Sequence, residues 1–207
     1  MGQYYRPTIV DKDGKYTTFT CQTNKFRETE DYGFYNGVKL TEHSWIGNHF
    51  TDAFSALIYK HPRRVAWVGD YADDSDGPAY DKAMKFNPDF FEDVYGENAP
   101  EPEDIPLLSH FDYKNKYLIN HTQKLYIPLN DYCFESDKWV MYPVSLLCAV
   151  GNGLGGGDYR GNDRDFIGKY AFDEISIEDE VPDGFVMDNI PHFYEDWMLQ
   201  EDEGMSL

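Results

Sequence analysis

The excess charge of this chain sits in two blocks, which decides where its core can come from. Residues 68–104 hold twelve acidic and two basic side chains, net −10; residues 171–207 hold twelve acidic and no Lys or Arg, net −12. The rest is close to neutral, with 1–67 at +2 and 105–170 at 0. Charged side chains stay at the surface unless they are paired. The interior must therefore come from the apolar side chains set among the charges. These are plentiful, since aromatic residues alone make up 17% of the chain. With 207 residues the chain is long enough for one domain with a sizeable core.

Several classes are excluded by the same numbers. Acidic disordered chains lack aromatics, and this one has 17 Tyr and 14 Phe. No apolar run approaches the roughly 20 residues of a transmembrane helix, so no membrane association is expected. A net charge of −20 repels phosphates, so direct nucleic-acid binding is not expected. Cys21, Cys133 and Cys148 form no C-x-x-C pair, which suits reduced thiols in the cytoplasm. The start, Met1 to Pro7, lacks the features of a signal peptide. Gly2 does not open a myristoylation motif, because Arg6 stands where Ser or Thr is required.

Local patterns predict short, mixed elements. Residues 3–10 and 15–22 read as strands joined at Asp13-Gly14. Asn36-Gly37 marks a further turn. Phe50, Ala53, Phe54, Leu57 and Ile58 fall on one helical face, predicting a helix over 48–61 that Pro62 stops. The run 64–70 predicts a buried strand. Pro78 and Pro88 each open a short helix, the second capped by Asn87. A second hairpin is predicted over 117–128, a strand at 175–177, a turn at Asp183-Gly184 and a terminal helix over 190–200. The stretch 139–150 is apolar, but Pro143 leaves its type open. No repeat and no βαβ rhythm is present. The expected architecture is α+β: a single compact domain, 1–207, with a mixed or antiparallel sheet, hairpins and a few short helices.

Candidate sites are few. The loop 151–161 matches G-x-G-x-x-G at Gly151, Gly153 and Gly156, but the residues after it are a poor helix start. It lacks the Gly-Lys-Ser/Thr of a phosphate-binding P-loop. What remains is a structural loop or an anion cradle built from Gly155, Gly156 and Gly157 with Arg160. Asp70, Asp73, Asp74 and Asp76 cluster after a strand, but the calcium-loop pattern fails, with Ala72 and Ala83 at its end positions. The six histidines form no zinc pattern, so no metal or cofactor is assigned. His43, Asp70 and Asp158 are the candidate catalytic bases.

Five segments carry a resemblance. They are Met1-Gly2-Gln3-Tyr4-Tyr5, Glu42 to Asn48 after Gly37 to Leu40, Trp67 to Asp73, Leu118 to Thr122, and the Gly151 to Gly161 loop. In these the chain resembles an uncharacterised family of small acidic bacterial and phage proteins. The resemblance spans roughly the whole chain and brings no known activity. It implies an intracellular protein that moves with mobile elements, a setting associated with counter-defence.

Two functions are weighed against a third reading, a housekeeping protein whose surface is acidic for solubility alone. One is a binding protein that docks on the basic surface of a partner, such as a nucleic-acid-binding protein. Its contact candidates are Asp93, Glu97, Glu101, Glu103, Asp104, Glu178, Asp179 and Glu180. The other is a small hydrolase or a nucleotide- or phosphate-binding enzyme using the Gly-rich loop.

Overall fold

The Asp13-Gly14 turn forms as its sequence predicts. Asp11 Oδ1 accepts the N–H groups of Asp13 and Lys15, each at 2.9 Å. Gly14 takes φ +80°, a conformation open to glycine without strain. The computed structural model describes residues 4–20, 38–40, 44–72, 78–106, 108–130, 141–151 and 165–190. The turn joins β1 (Tyr4–Val10) antiparallel to β2 (Tyr16–Thr20), with Thr8 opposite Thr18. Near its start β1 also pairs with β3 (Val38–Lys39).

Asn48 caps α1 (His49–Ile58) by accepting the Phe50 N–H at 2.8 Å. The helix ends four residues before Pro62, earlier than the spacing predicts. Tyr59 turns extended and bridges Ile177, while Lys60 takes φ +57° and donates its N–H to Ile177 O. Pairing with a distant strand ends the helix before the proline can. The chain then enters β4 (Arg63–Gly69), which is antiparallel to β1.

β4 is buried on both faces from Val65 onward, and the two-residue alternation divides its side chains. Val65 and Trp67 pack with Phe50, Phe54 and Ile58 of α1. Ala66 and Val68 pack with Ala83, Phe90 and Val94 from α2 (Pro78–Phe86) and α3 (Phe90–Tyr95). The sheet thus lies between two apolar layers. Trp67 is fully buried, with the rings of Phe50, Phe54 and Tyr142 edge-on around it.

The remaining elements extend the sheet. β5 (Glu103–Asp104) pairs parallel with β2. β6 (Tyr117–Asn120) and β7 (Leu125–Pro128) form the second predicted hairpin. Pro143 opens α4 (Pro143–Leu147), which leads into β8 (Ala149–Val150), parallel to β4. β9 (Asp173–Glu178) joins β4 to β6, and β10 (Val186–Met187) pairs parallel with β7. The order is β10-β7-β6-β9-β4-β1-β2-β5, with β3 beside β1 and β8 beside β4. This mixed sheet, with four short helices among the described residues, is α+β, as the sequence predicts. Asn36-Gly37, residues 191–200 of the predicted terminal helix, Cys21 and Cys133 lie outside the described residues, and Ile190 is buried but not helical. Cys148 is fully buried, and burial pushes its thiol well up, so it stays protonated.

Candidate functional site

β4 and β8 run parallel, with Trp67 opposite Ala149 and Val68 opposite Val150. Both therefore leave the sheet at the same end, where Asp70 follows β4 and Gly151 follows β8. The register brings Asp70 to the point where the Gly-rich loop departs. Asp70 Oδ1 accepts the Tyr4 N–H at 3.1 Å. Burial pushes the Asp70 carboxyl above its ordinary range, against the pull of backbone N–H groups and Arg6. The Arg6 guanidinium lies 4.4 Å from the centre of the Tyr95 ring and donates to Val94 O at 2.9 Å. The Tyr95 hydroxyl donates to Val68 O at 2.8 Å, and burial holds its pKa far above the usual value. A carboxyl raised in this way is suited to holding or passing a proton. His43, Gly155, Gly156, Gly157, Asp158 and Arg160 lie outside the described residues, as do Asp73, Asp74 and Asp76. Among the described residues no His, Cys, Asp and Glu group could hold a metal ion. No helix among them is long and apolar enough to cross a membrane.

The acidic candidates divide into committed and uncommitted carboxylates. Asp93 accepts from Asn87 Nδ2 at 2.8 Å and lies against Tyr16, whose hydroxyl is pushed up to about 12 by burial first and Asp93 second. Glu178 accepts from Ser176 Oγ at 2.6 Å, and Ser176 Oγ also lies 2.8 Å from His121 Nε2. Asp179 binds Lys60 Nζ at 2.6 Å, Lys116 Nζ at 2.9 Å and the Tyr59 hydroxyl at 2.8 Å. Lys116, then Lys60, then Tyr59 hold its carboxyl well below the ordinary range. By contrast Glu97, Glu101, Glu103, Asp104 and Glu180 are exposed. They make no side-chain hydrogen bond or ion pair with the described residues.

Four of those five lie within 97–104, a segment without a cation that ends in β5, the terminal strand of the sheet order. Ile105 N donates to Thr20 O at 3.1 Å. Parallel pairing then turns the N–H and C=O of Asp104 away from β2, toward the outer edge. The second acidic block is elsewhere. β9 is four strand spacings from β5, about 19 Å. Its acidic end lies near Tyr59 and Lys60, before β4 begins, whereas β5 pairs with the far end of β2. The acidic runs 97–104 and 178–180 therefore do not form one surface, although α2 of the first block meets the second block where Lys82 binds Asp173.

A cleft of about 320 Å³ opens at the end of the sheet where β4 begins. Lys12 and Asp13 from the first turn line one side, Pro62, Arg63 and Arg64 the other, and Glu174 completes it. The sequence signal was Lys60-His61-Pro62-Arg63-Arg64, three basic residues within five. Balancing charge over long blocks hid it.

Compared with known proteins, the chain matches no family model, no curated protein and no solved structure.

Proposed function

We propose that the chain is a binding protein whose acidic sheet edge, residues 97–104, docks on a basic extended segment of a protein partner. The observation that carries this reading is a row of four exposed carboxylates without a cation, beside an outward-facing strand backbone. Strand addition to a sheet edge draws affinity from main-chain hydrogen bonds and specificity from side chains. Carboxylates on an edge strand also repel a like edge, so a second copy of this chain is rejected. A Lys- or Arg-rich strand meets the same edge with complementary charge. Nucleic-acid-binding proteins carry such segments, and counter-defence by a mobile-element protein would use this contact against one of them.

The test is titration of a labelled peptide of five Lys-Val repeats into the full chain at about 50 mM and about 500 mM NaCl. Binding should weaken at least tenfold at high salt. It should weaken as much in the variant Glu97→Gln/Glu101→Gln/Glu103→Gln/Asp104→Asn. Equal affinity for that variant and the parent would end the proposal.

One observation favours a second reading, a small hydrolase or phosphate-binding enzyme. The parallel β4–β8 register sets Asp70, with its raised carboxyl, at the start of the Gly-rich loop. Hydrolysis of p-nitrophenyl phosphate that disappears in Asp70→Asn would support it; an unchanged rate would remove Asp70 from any such role.

A further inference from the structure

In a chain with 38 acidic and 18 basic residues, cations are readily taken up by carboxylates. Lys60, Lys82, Lys116 and Lys169 all sit in ion pairs. Arg63, Arg64 and Lys12, like Lys15, Lys85, Lys114 and Lys124, make no side-chain hydrogen bond or ion pair with the described residues; what sets the first three apart is that they converge on one cleft. All three line the cleft at the start of β4. The Arg64 guanidinium lies over the Phe86 ring, 5.7 Å from its centre.

Acids line the same cleft. Asp11 gives one oxygen, Oδ1, to two backbone N–H groups of its own turn, which fixes its carboxylate at the cleft wall. Asp13 and Glu174 remain. Glu174 stands directly across the strand pair from Arg64, yet the two charges do not close into an ion pair. Opposite charges on facing strand positions ordinarily attract. Here they stand apart around a space of about 320 Å³, at the lower end of the range for small-molecule sites.

The walls are set by local structure. The Asp11 turn fixes Lys12 and Asp13, while left-handed Lys60 and rigid Pro62 fix the entry to Arg63. The backbone of these walls is thus set before binding, and only the exposed side chains have to order around a ligand. Guanidinium groups prefer carboxylate and phosphate oxygens, and carboxylates prefer ammonium groups. A cleft with both, unpaired, complements a ligand carrying both charges. We propose that it binds a small zwitterion, with the phosphate or carboxylate on Arg63 and Arg64 and the ammonium on Asp13 and Glu174.

Calorimetric titration of the full chain tests this with four probes: O-phosphoethanolamine, β-alanine, inorganic phosphate and ethylamine. At matched ionic strength, one of the first two should bind at least tenfold more tightly than either probe that carries one sign of charge. Which of the two binds identifies phosphate or carboxylate as the anionic end. Arg63→Ala/Arg64→Ala should abolish the binding, and Glu174→Gln should reduce it to the phosphate level. All three positions are exposed, and an unchanged melting temperature would show that the variants fold. The edge variant at 97–104 should bind the probe normally, which separates this site from the docking edge. No binding of any probe, equal binding of the zwitterions and the probes with one sign of charge, or binding that survives the arginine substitutions would each overturn the assignment.

Discussion

Asp52 is a fully buried carboxylate in the first turn of α1, and its oxygens are filled from three directions. The Tyr113 hydroxyl donates to Oδ1 at 2.8 Å, Phe111 N–H to Oδ2 at 3.1 Å, and Gly47 N–H to Oδ1 at 3.3 Å. Ser55 lies beyond, 3.0 Å from Tyr113 Oη and donating to Tyr142 Oη at 2.8 Å. Removing the acceptor strands buried donors, so Asp52→Ala should cost about 3 kcal/mol or more in denaturant unfolding. Tyr113→Phe should cost about 1–2 kcal/mol. A change below about 0.5 kcal/mol for Asp52→Ala would contradict this network. The sequence did not disclose it, because the residues facing Asp52 lie 59 and 61 positions away. Asp179 was legible as an acid but not as a paired one, for the same reason: Tyr59 is 120 positions away. Its depressed pKa fixes a sign. The folded form binds its proton later than the unfolded chain, so the contribution is complete above about pH 4 and fades as pH falls below it. Comparing melting temperatures of the parent and Asp179→Asn between about pH 6 and about pH 2 checks this. The gap between them should close with acid, whereas a constant gap would contradict it.

Elements made by local chemistry were legible, and elements made by distant pairing were not. Both hairpins follow from turn residues between β-forming runs, and α2 opens at Pro78 as predicted; α3 begins at Phe90, two residues past Pro88, because Asn87 Oδ1 accepts the Asp89 N–H in a turn instead of capping the helix. The two-residue strands β3, β5, β8 and β10 owe their form to partners elsewhere in the chain. A short acidic pair such as Glu103-Asp104 carries no strand signal of its own. The close crossing at Gly168 was hidden likewise. Gly168 takes φ +72°, and a Cβ there would meet Ala149 O at 2.5 Å and Ala79 Cβ at 2.8 Å. Gly168→Ala should therefore destabilise by more than about 1 kcal/mol. Asn48→Ala removes the α1 cap and should cost about 1 kcal/mol. Phe54→Ala, fully buried against Phe19 and Trp67, should cost about 3–5 kcal/mol. Chemical denaturation ranks the three. Phe54 was legible in advance, since helical spacing alone put it on the buried face.

Across the molecule, the structure distinguishes acids that hold the fold together from acids left to the surface. Asp93, Glu178 and Asp179 are tied to neighbours, and β9 lies four strands from β5. Counting charge along the sequence showed that the blocks exist but not that the sheet separates 97–104 from 178–180. Mutual repulsion among Glu97, Glu101, Glu103 and Asp104 opposes folding, so neutralising all four should leave the melting temperature unchanged or higher. A fall of several degrees would mean that these carboxylates have structural partners. The docking reading itself is decided by backbone amide NMR of the full chain, titrated with the Lys-Val peptide. The largest shifts should fall on residues 101–105, with the Asp104 amide newly protected from exchange. Shifts centred on 178–180, or spread evenly over the acidic surface, would contradict a docking edge at β5.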